Sequence, residues 1–279
     1  MARLAHGGSR GAASAGAVMS DLVPEPSQEP PASVYERAVK AAGLTLSKDA
    51  RILDFCCGAG ADAYRFCDRG YANTHAYDVR DYVDRRAGGP QPEFRFSDAE
   101  GGITLPFPDD YFDFIYSNQV LEHVQDLDAA CSEISRCLKR DGFSFHVFPS
   151  KWQPIECHIH VPFGGAITSD AYFKFWALLG IRNEFQKDKS AAETAAANIR
   201  YTRDSLNYKT GAELTALFKR HFGSFEYADV HLLKYSLGKG RWIYPIAKIF
   251  PPLLWLYRFA HMRVVLLFNE AGRRESAIS

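Results

Sequence analysis

The sequence predicts an α/β chain: a doubly wound, mostly parallel sheet of seven strands, with a helical and aromatic lid contributed by insertions. Three observations carry this expectation. Short apolar runs alternate with amphipathic stretches of helical spacing from about Ser33 onward. The first run ends in a Gly-Ala-Gly turn that leads into a helix, in "RILDFCCGAGADAYRF". Acids stand at or just beyond the ends of the first three runs, where a sheet of this kind gathers its ligands.

Each element has its own signal. "SVYERAVKAAG" has helical spacing and stops at Gly43. "RILDFC" is a short buried strand, "DAYRFCDRG" a helix closed by Gly70, and "NTHAYDV" and "FRFSDA" are the second and third strands. After the proline-punctuated "LPFPDDY" comes a fourth strand, "FDFIYSN", then a helix over Leu127 to Leu138 and a fifth strand, "GFSFHVFP". Lys151 to Tyr208 loosen the pattern into a histidine-rich loop and one or two helices. "GAELTALFKRHF" is again a helix, "SFEYADVHLL" reads as a sixth strand, and "MRVVLLF" as the last. The expected organisation is a disordered tail over 1–32, one domain over 33–271 with lid insertions at 151–208 and 236–260, and a flexible tail over 272–279.

Bulk properties exclude several classes. Lys plus Arg number 33 and Asp plus Glu also 33, so the chain is neutral overall and lacks the basic excess of a nucleic-acid binder. The six cysteines show neither a disulfide framework nor a zinc-type CxxC pair, which suggests reduced thiols and a cytoplasmic location. The first twenty residues carry Arg3 and Arg10 and no acid, so a transit peptide stays open beside a floppy tail or a start at Met19. The apolar stretch before the last strand is broken by Pro245, Pro251 and Pro252 and by Lys248, Arg258 and Arg263; it is too interrupted to span a bilayer.

The glycine turn alone is ambiguous. Gly58-x-Gly60-x-x-Ala63 satisfies a loose dinucleotide fingerprint, and a purely structural turn is the plainer alternative. Three acids favour another ligand. Asp54, four residues before Gly58, would repel a pyrophosphate and attract an ammonium group. Asp78 is placed to accept both hydroxyls of a ribose, and Asp98 to accept an adenine amine. Together they describe a ligand with adenine, ribose and a cationic amino-acid tail.

These residues resemble the class I S-adenosylmethionine-dependent methyltransferases, the group of small-molecule enzymes with a Rossmann-like sheet. "ILDFCCGAG" resembles their glycine-rich first motif, "AYDV" the acidic second, and "LPFPDDYFDFIYSNQVLEHVQDLDAACSEISRCLKRDGFSFHVFP" their fourth strand, next helix and fifth strand. The likeness covers about Arg51 to Pro149 and, more weakly, Thr210 to His231. Cys56 departs from it by replacing the first glycine of the loop. The resemblance implies S-adenosyl-L-methionine as cofactor. Asp54, Cys56, Gly58 and Gly60 would lie about its methionine portion, Asp78 and Val79 at the ribose, and Asp98 and Ala99 at the adenine, with Glu100 beside them. Asn118 and Gln119 would line the sulfonium side. Cys56 and Cys57 read as packing residues rather than nucleophiles.

For the transfer, a histidine suits an acceptor hydroxyl at neutral pH. His123 follows the fourth strand in "VLEHV". His158 and His160 stand in "ECHIHVPFGG", where i, i+2 spacing on an extended segment would put both on one face with Glu156. No metal is expected. Phe173, Phe175, Trp176, Trp242, Tyr244, Trp255 and Tyr257 give the lid an aromatic character suited to a partly hydrophobic acceptor. The expected function is methyl transfer to a small molecule, at oxygen. A nicotinamide-dependent oxidoreductase and a non-catalytic binding module are the alternatives. The partner is a small-molecule acceptor and not a nucleic acid. A peripheral membrane contact through residues 241–263 and a homodimer stay open.

Overall fold

The computed structural model describes residues 31–97, 103–235 and 240–270. The tails expected at either end therefore lie almost wholly outside the described residues, as do Asp98, Ala99, Glu100 and residues 236–239. A helix α1 (Pro31–Ala41) leads into β1 (Ile52–Phe55), α2 (Ala61–Asp68), β2 (Thr74–Asp78), β3 (Glu93–Phe96), β4 (Phe112–Asn118), α3 (Leu127–Cys137) and β5 (Leu138–Pro149). There follow α4 (Asp170–Leu178), a 3-10 turn (Glu184–Gln186), α5 (Ala191–Asp204), α6 (Gly211–His221) and β6 (Ser224–Tyr227). The chain closes with α7 (Asp229–Tyr235), α8 (Gly240–Ile249), α9 (Pro251–Ala260) and β7 (Met262–Phe268).

The strands form one sheet of seven in the order β3-β2-β1-β4-β5-β7-β6. β1 pairs in parallel with β2 and β4, while β7 runs antiparallel between β5 and β6. Side-chain alternation divides the core. Leu53, Phe55, Ile115, Val265 and Leu267 point to the face covered by α3 and α6, through Leu127, Ile134, Leu214 and Phe218. Ile52, Phe114, Tyr116, Phe145, Leu266 and Phe268 point to the face covered by α1 and α2, through Tyr35, Val39 and Phe66. Burial on both faces is what makes these strands read as continuous apolar runs. β1 and β2 are buried along their full length, including Asp54 and Asp78. Both acids therefore owe their burial to the sheet.

The structure corrects the sixth strand. "SFEYADVHLL" splits at Ala228: β6 ends at Tyr227, and Asp229 opens α7. Asp229 and Leu233 are the buried positions of α7, four apart, so the apolar residues that read as a strand follow helical spacing. Asp229 has a further role. It is fully buried, its Oδ2 accepts from Arg258 Nε at 2.6 Å, and its Oδ1 accepts from the Val264 amide at 2.9 Å. One carboxylate thus fastens α9 and β7 to α7.

The two insertions leave from the carboxyl end of the sheet. Residues 150–209 follow β5, and the α8–α9 hairpin returns to β7 at Met262, opposite Pro149. The first insertion has its own small core of Ile159, Val161, Phe173 and Ala195. The aromatic residues whose side chains are described do not all share one environment. Phe173 is buried within that core, whereas Phe175 and Trp255 are 53% and 62% exposed. Of the cations in and after the second insertion, Arg258 is paired with Asp229, and Arg263 is buried and donates to the Lys209 carbonyl at 2.7 Å.

Replacing Asp229 with Ala strands the Arg258 guanidinium and the Val264 amide. The loss should be about 3 kcal/mol in urea unfolding, with Asp229→Asn retaining part of it.

Candidate functional site

β1 ends at Phe55, and the chain turns through Cys56 to Gly60 before α2 begins. The Cys57 amide bonds the Tyr77 carbonyl at 2.9 Å, and the Gly60 amide bonds the Cys57 carbonyl at 2.8 Å. Gly58 has φ +51° with nothing within 4 Å of the place a Cβ would take. The turn is therefore bare on that side. Gly60 has φ +79°, and a Cβ there would come 2.9 Å from the Phe94 ring. Cys56 holds the same left-handed conformation at φ 59°, so the substitution of glycine by cysteine leaves the turn's path intact at a cost of about 1–2 kcal/mol. Its side chain packs on the core. Burial and the nearby Asp78 and Asp54 push the thiols of Cys56 and Cys57 far above the ordinary range, which removes them as nucleophiles.

Three carboxylates converge on this turn. Asp78 Oδ2 accepts from the Gly58 amide at 2.8 Å, and its Oδ1 from the Val79 amide at 2.7 Å. Asp62, in the first turn of α2, pairs with Arg65 at 2.7 Å. Asp54 is buried, and that burial, reinforced by Asp62, holds its carboxyl well above the usual range against the Tyr116 hydroxyl and the Ala63 amide. Burial disfavours the ionised forms of Asp54 and Asp62; an anionic pyrophosphate would disfavour them further, whereas a cationic ligand would favour them. Asn118, exposed at the end of β4, and Gln119, at φ 56°, stand on the same edge. Gln119 Nε2 lies 3.6 Å from Met262 Sδ, at the start of β7.

Beyond Gln119 the first insertion folds back on the segment after β4. The Asn207 amide donates to the Glu122 carbonyl at 2.6 Å, and His123 Nδ1 lies 2.8 Å from the Ser205 carbonyl. A carbonyl only accepts, so His123 carries its proton on Nδ1 and presents a lone pair at Nε2. Burial, only partly offset by that carbonyl, holds His123 below the usual histidine range and keeps it neutral. His158 stands edge-on to it, with ring centroids 4.9 Å apart. Its Nδ1 is 2.6 Å from Glu156 Oε1, and the fully buried Glu156 also accepts from the amides of His158 and Ile159 and from the Tyr208 hydroxyl. Burial would lower His158, but its bonds to Cys157 and Glu156 prevail and push it up to about 10. It is an imidazolium at neutral pH.

His160 does not share this face. Residues 156–160 form a turn, closed by the His160 amide on the Glu156 carbonyl at 2.9 Å, with His160 at φ 59°. The i, i+2 argument needed an extended segment and fails here. Glu156, Cys157 and His158 do bring ligand atoms within 4.8 Å of one another. The Glu156 oxygens, however, are already occupied by hydrogen bonds, so the cluster is complete as an ion pair.

Sequence reasoning passed over Glu122. It is 1% exposed, and neither carboxylate oxygen has a hydrogen-bond partner among the described residues. Burial, partly countered by His158, pushes it up to about 8. His123 Nε2 stands 3.9 Å from its Oε1. Only its adjacency to His123 in "VLEHV" signalled it. A broad surface depression elsewhere, lined by Gly43, Asp113, Lys139 and Phe268, opens on the amino ends of the strands. Asp113 and Lys139 pair with each other at 2.6 Å there, and none of the groups above reaches it.

Residues 53–145 match the model of a family described as "Methyltransferase domain". An uncharacterized methyltransferase, YcgJ, of Bacillus subtilis is 34% identical over 98 residues, covering 33% of this chain and 38% of its own length. The sterol 24-C-methyltransferase ERG6B of Gibberella zeae is 30% identical over 98 residues, covering 33% of this chain and 26% of its own. The match thus spans less than half of either relative. The crystal structure of YcgJ aligns with 85% of this chain and 99% of that one, at 17% identity and a TM-score of 0.47. The cofactor of this family is S-adenosylmethionine, and the residues present fit it. Gly58 leaves open space where a side chain would stand, Asp54 lies buried among like charges, and Asp78 closes the turn.

Glu122 also sets a stability profile. Its folded pKa of about 8 lies above the unfolded value, so the folded chain retains a proton that the unfolded chain has released. Stability contributed at this position is complete in acid and falls as pH rises toward 8. Glu122→Gln removes that loss. Its melting temperature should match wild type near pH 4 and exceed it at pH 9, each tenfold difference in proton affinity between the two states being worth roughly 1.4 kcal/mol.

Proposed function

We propose that the chain is a class I methyltransferase that transfers the methyl group of S-adenosylmethionine to an oxygen of a small, partly hydrophobic acceptor. The observation that supports the acceptor half is the pairing of a neutral His123 with a charged His158 beside the end of β4. When bound, the cofactor supplies a methyl group already activated by its sulfonium. Asp54, Gly58 and Gly60 would hold its amino-acid portion, and Asp78 with Val79 the ribose. Asp98 and Ala99, outside the described residues, are proposed for the adenine.

The remaining work is alignment and proton transfer, and alignment alone accounts for about 7–11 kcal/mol in well-oriented reactions. His123 Nε2 takes the acceptor's hydroxyl proton. His158, kept charged by Glu156, donates a hydrogen bond to the oxygen as it gains negative charge. Glu156 touches neither acceptor nor cofactor; it is a positioning residue. His160 has no assigned part. The sterol methyltransferase among the relatives acts, by its name, on an apolar small molecule, which accords with this acceptor class.

Calorimetry with S-adenosylmethionine should show one site, and Asp78→Ala should weaken it by about tenfold or more, the coarse scale of a lost charge-assisted contact. Absence of binding to the wild-type protein would end the proposal. With an acceptor identified by a metabolite screen, turnover should rise through the depressed pKa of His123, below 6.5, and fall near the His158 value of about 10. Glu156→Gln should draw the falling limb down toward neutrality with cofactor affinity unchanged. His123→Ala should lower turnover by about 10²–10⁴.

A further inference from the structure

The α9 helix and the bend before it are apolar and exposed. α9 has the sequence "PPLLWLYRFA" and no buried residue. Ile249 and Phe250 at the bend are 85% and 58% exposed, and Trp255 and Leu256 are 62% and 51% exposed. Trp255 stacks on Phe259 at 5.3 Å, and Phe259 stacks on Trp152 at 5.8 Å, so the patch runs without a break onto the segment after β5. Single exposed apolar residues are ordinary, but a contiguous set marks a surface that something covers.

Charge decides what covers it. No carboxylate side chain occurs in the sequence between Asp229 and Glu270, while Lys234, Lys239, Arg241, Lys248, Arg258 and Arg263 do, in a chain that is neutral overall. Arg258 and Arg263 are engaged inside the fold. The stretch of sequence that holds the apolar hairpin is thus free of acids and carries four further cations. A second copy would set one acid-free, cation-bearing stretch of sequence against another. An anionic bilayer complements both properties: apolar side chains and tryptophan enter at headgroup depth while cations meet lipid phosphates and carboxylates. Neither helix is long and apolar enough to cross a membrane. Position is consistent as well. The Ser150 amide bonds the His261 carbonyl at 2.8 Å, holding the hairpin at the carboxyl edge of the sheet where the candidate site opens.

We propose that the α8–α9 hairpin seats the protein on an anionic membrane surface, with α9 lying in the plane of the headgroups. The inference does not depend on the methyltransferase reading, because binding is measured without turnover. The full chain is sedimented with phosphatidylcholine vesicles, with and without phosphatidylserine. Binding should be about tenfold stronger with phosphatidylserine and fall with added salt. Tryptophan emission should shift to the blue and be quenched by brominated lipid. The double substitution Ile249→Glu and Trp255→Glu, at two exposed positions, should abolish sedimentation with the circular dichroism spectrum and S-adenosylmethionine affinity preserved. Failure of the wild-type chain to bind either vesicle, or equal binding by the double variant, would overturn the proposal. So would a wild-type dimer in light scattering that the double variant converts to monomer without any vesicle binding.

Discussion

The site depends on one hydrogen bond, from the Gly58 amide to the carboxylate of Asp78. β1 and β2 are neighbours in the sheet, and the turn leaving β1 is held to β2 by the Cys57 amide on the Tyr77 carbonyl and, at its glycine, by the Asp78 carboxylate. That carboxylate draws the glycine turn over its own strand, fixes the start of α2, and leaves Gly58 facing open space. Because Asp54 and Asp62 stand close by, the same arrangement crowds three carboxyl groups together, and burial raises the pKa of Asp54 and Asp62.

A second charge arrangement lies farther along the carboxyl edge, and it works by opposition. Burial makes histidines neutral and carboxylates protonated unless a partner intervenes. His123 and Glu122 follow that rule, with a carbonyl and no partner respectively among the described residues. Glu156 and His158 escape it together, because two amides and the Tyr208 hydroxyl stabilise the carboxylate that in turn stabilises the imidazolium. Two histidines a ring's width apart are thereby held in different protonation states at one pH. Their proton affinities are set by their surroundings rather than by residue type.

Much of the sheet was legible in the sequence because its strands are buried on both faces. "ILDF" and "THAYD" have no solvent face to confuse the pattern, and an acid inside such a run is conspicuous. Asp54 and Asp78 could be singled out for that reason. The failures share a cause as well. "ADVHLL" reads as strand because its apolar residues lack a tertiary reference, and the partner of its buried Asp229, Arg258, lies 29 residues away. Arg258 and Arg263 look like surface cations until Asp229 and the Lys209 carbonyl are known to meet them. The turn at 156–160 is set by a glutamate bonding its own neighbours' amides, which residue spacing does not reveal. Glu122 was overlooked because burial, the property that matters there, belongs to the three-dimensional structure alone.

The placement of β7 between β5 and β6 has a consequence for how the chain comes together. β6 pairs only with β7, yet β7 is made last and only after the α8–α9 hairpin has emerged. On the ribosome β5 therefore waits as an open edge while more than a hundred residues are added, and β6 has no partner at all until the final strand arrives. Such an edge invites mispairing and aggregation. The reversed strand then closes the sheet in a single late step.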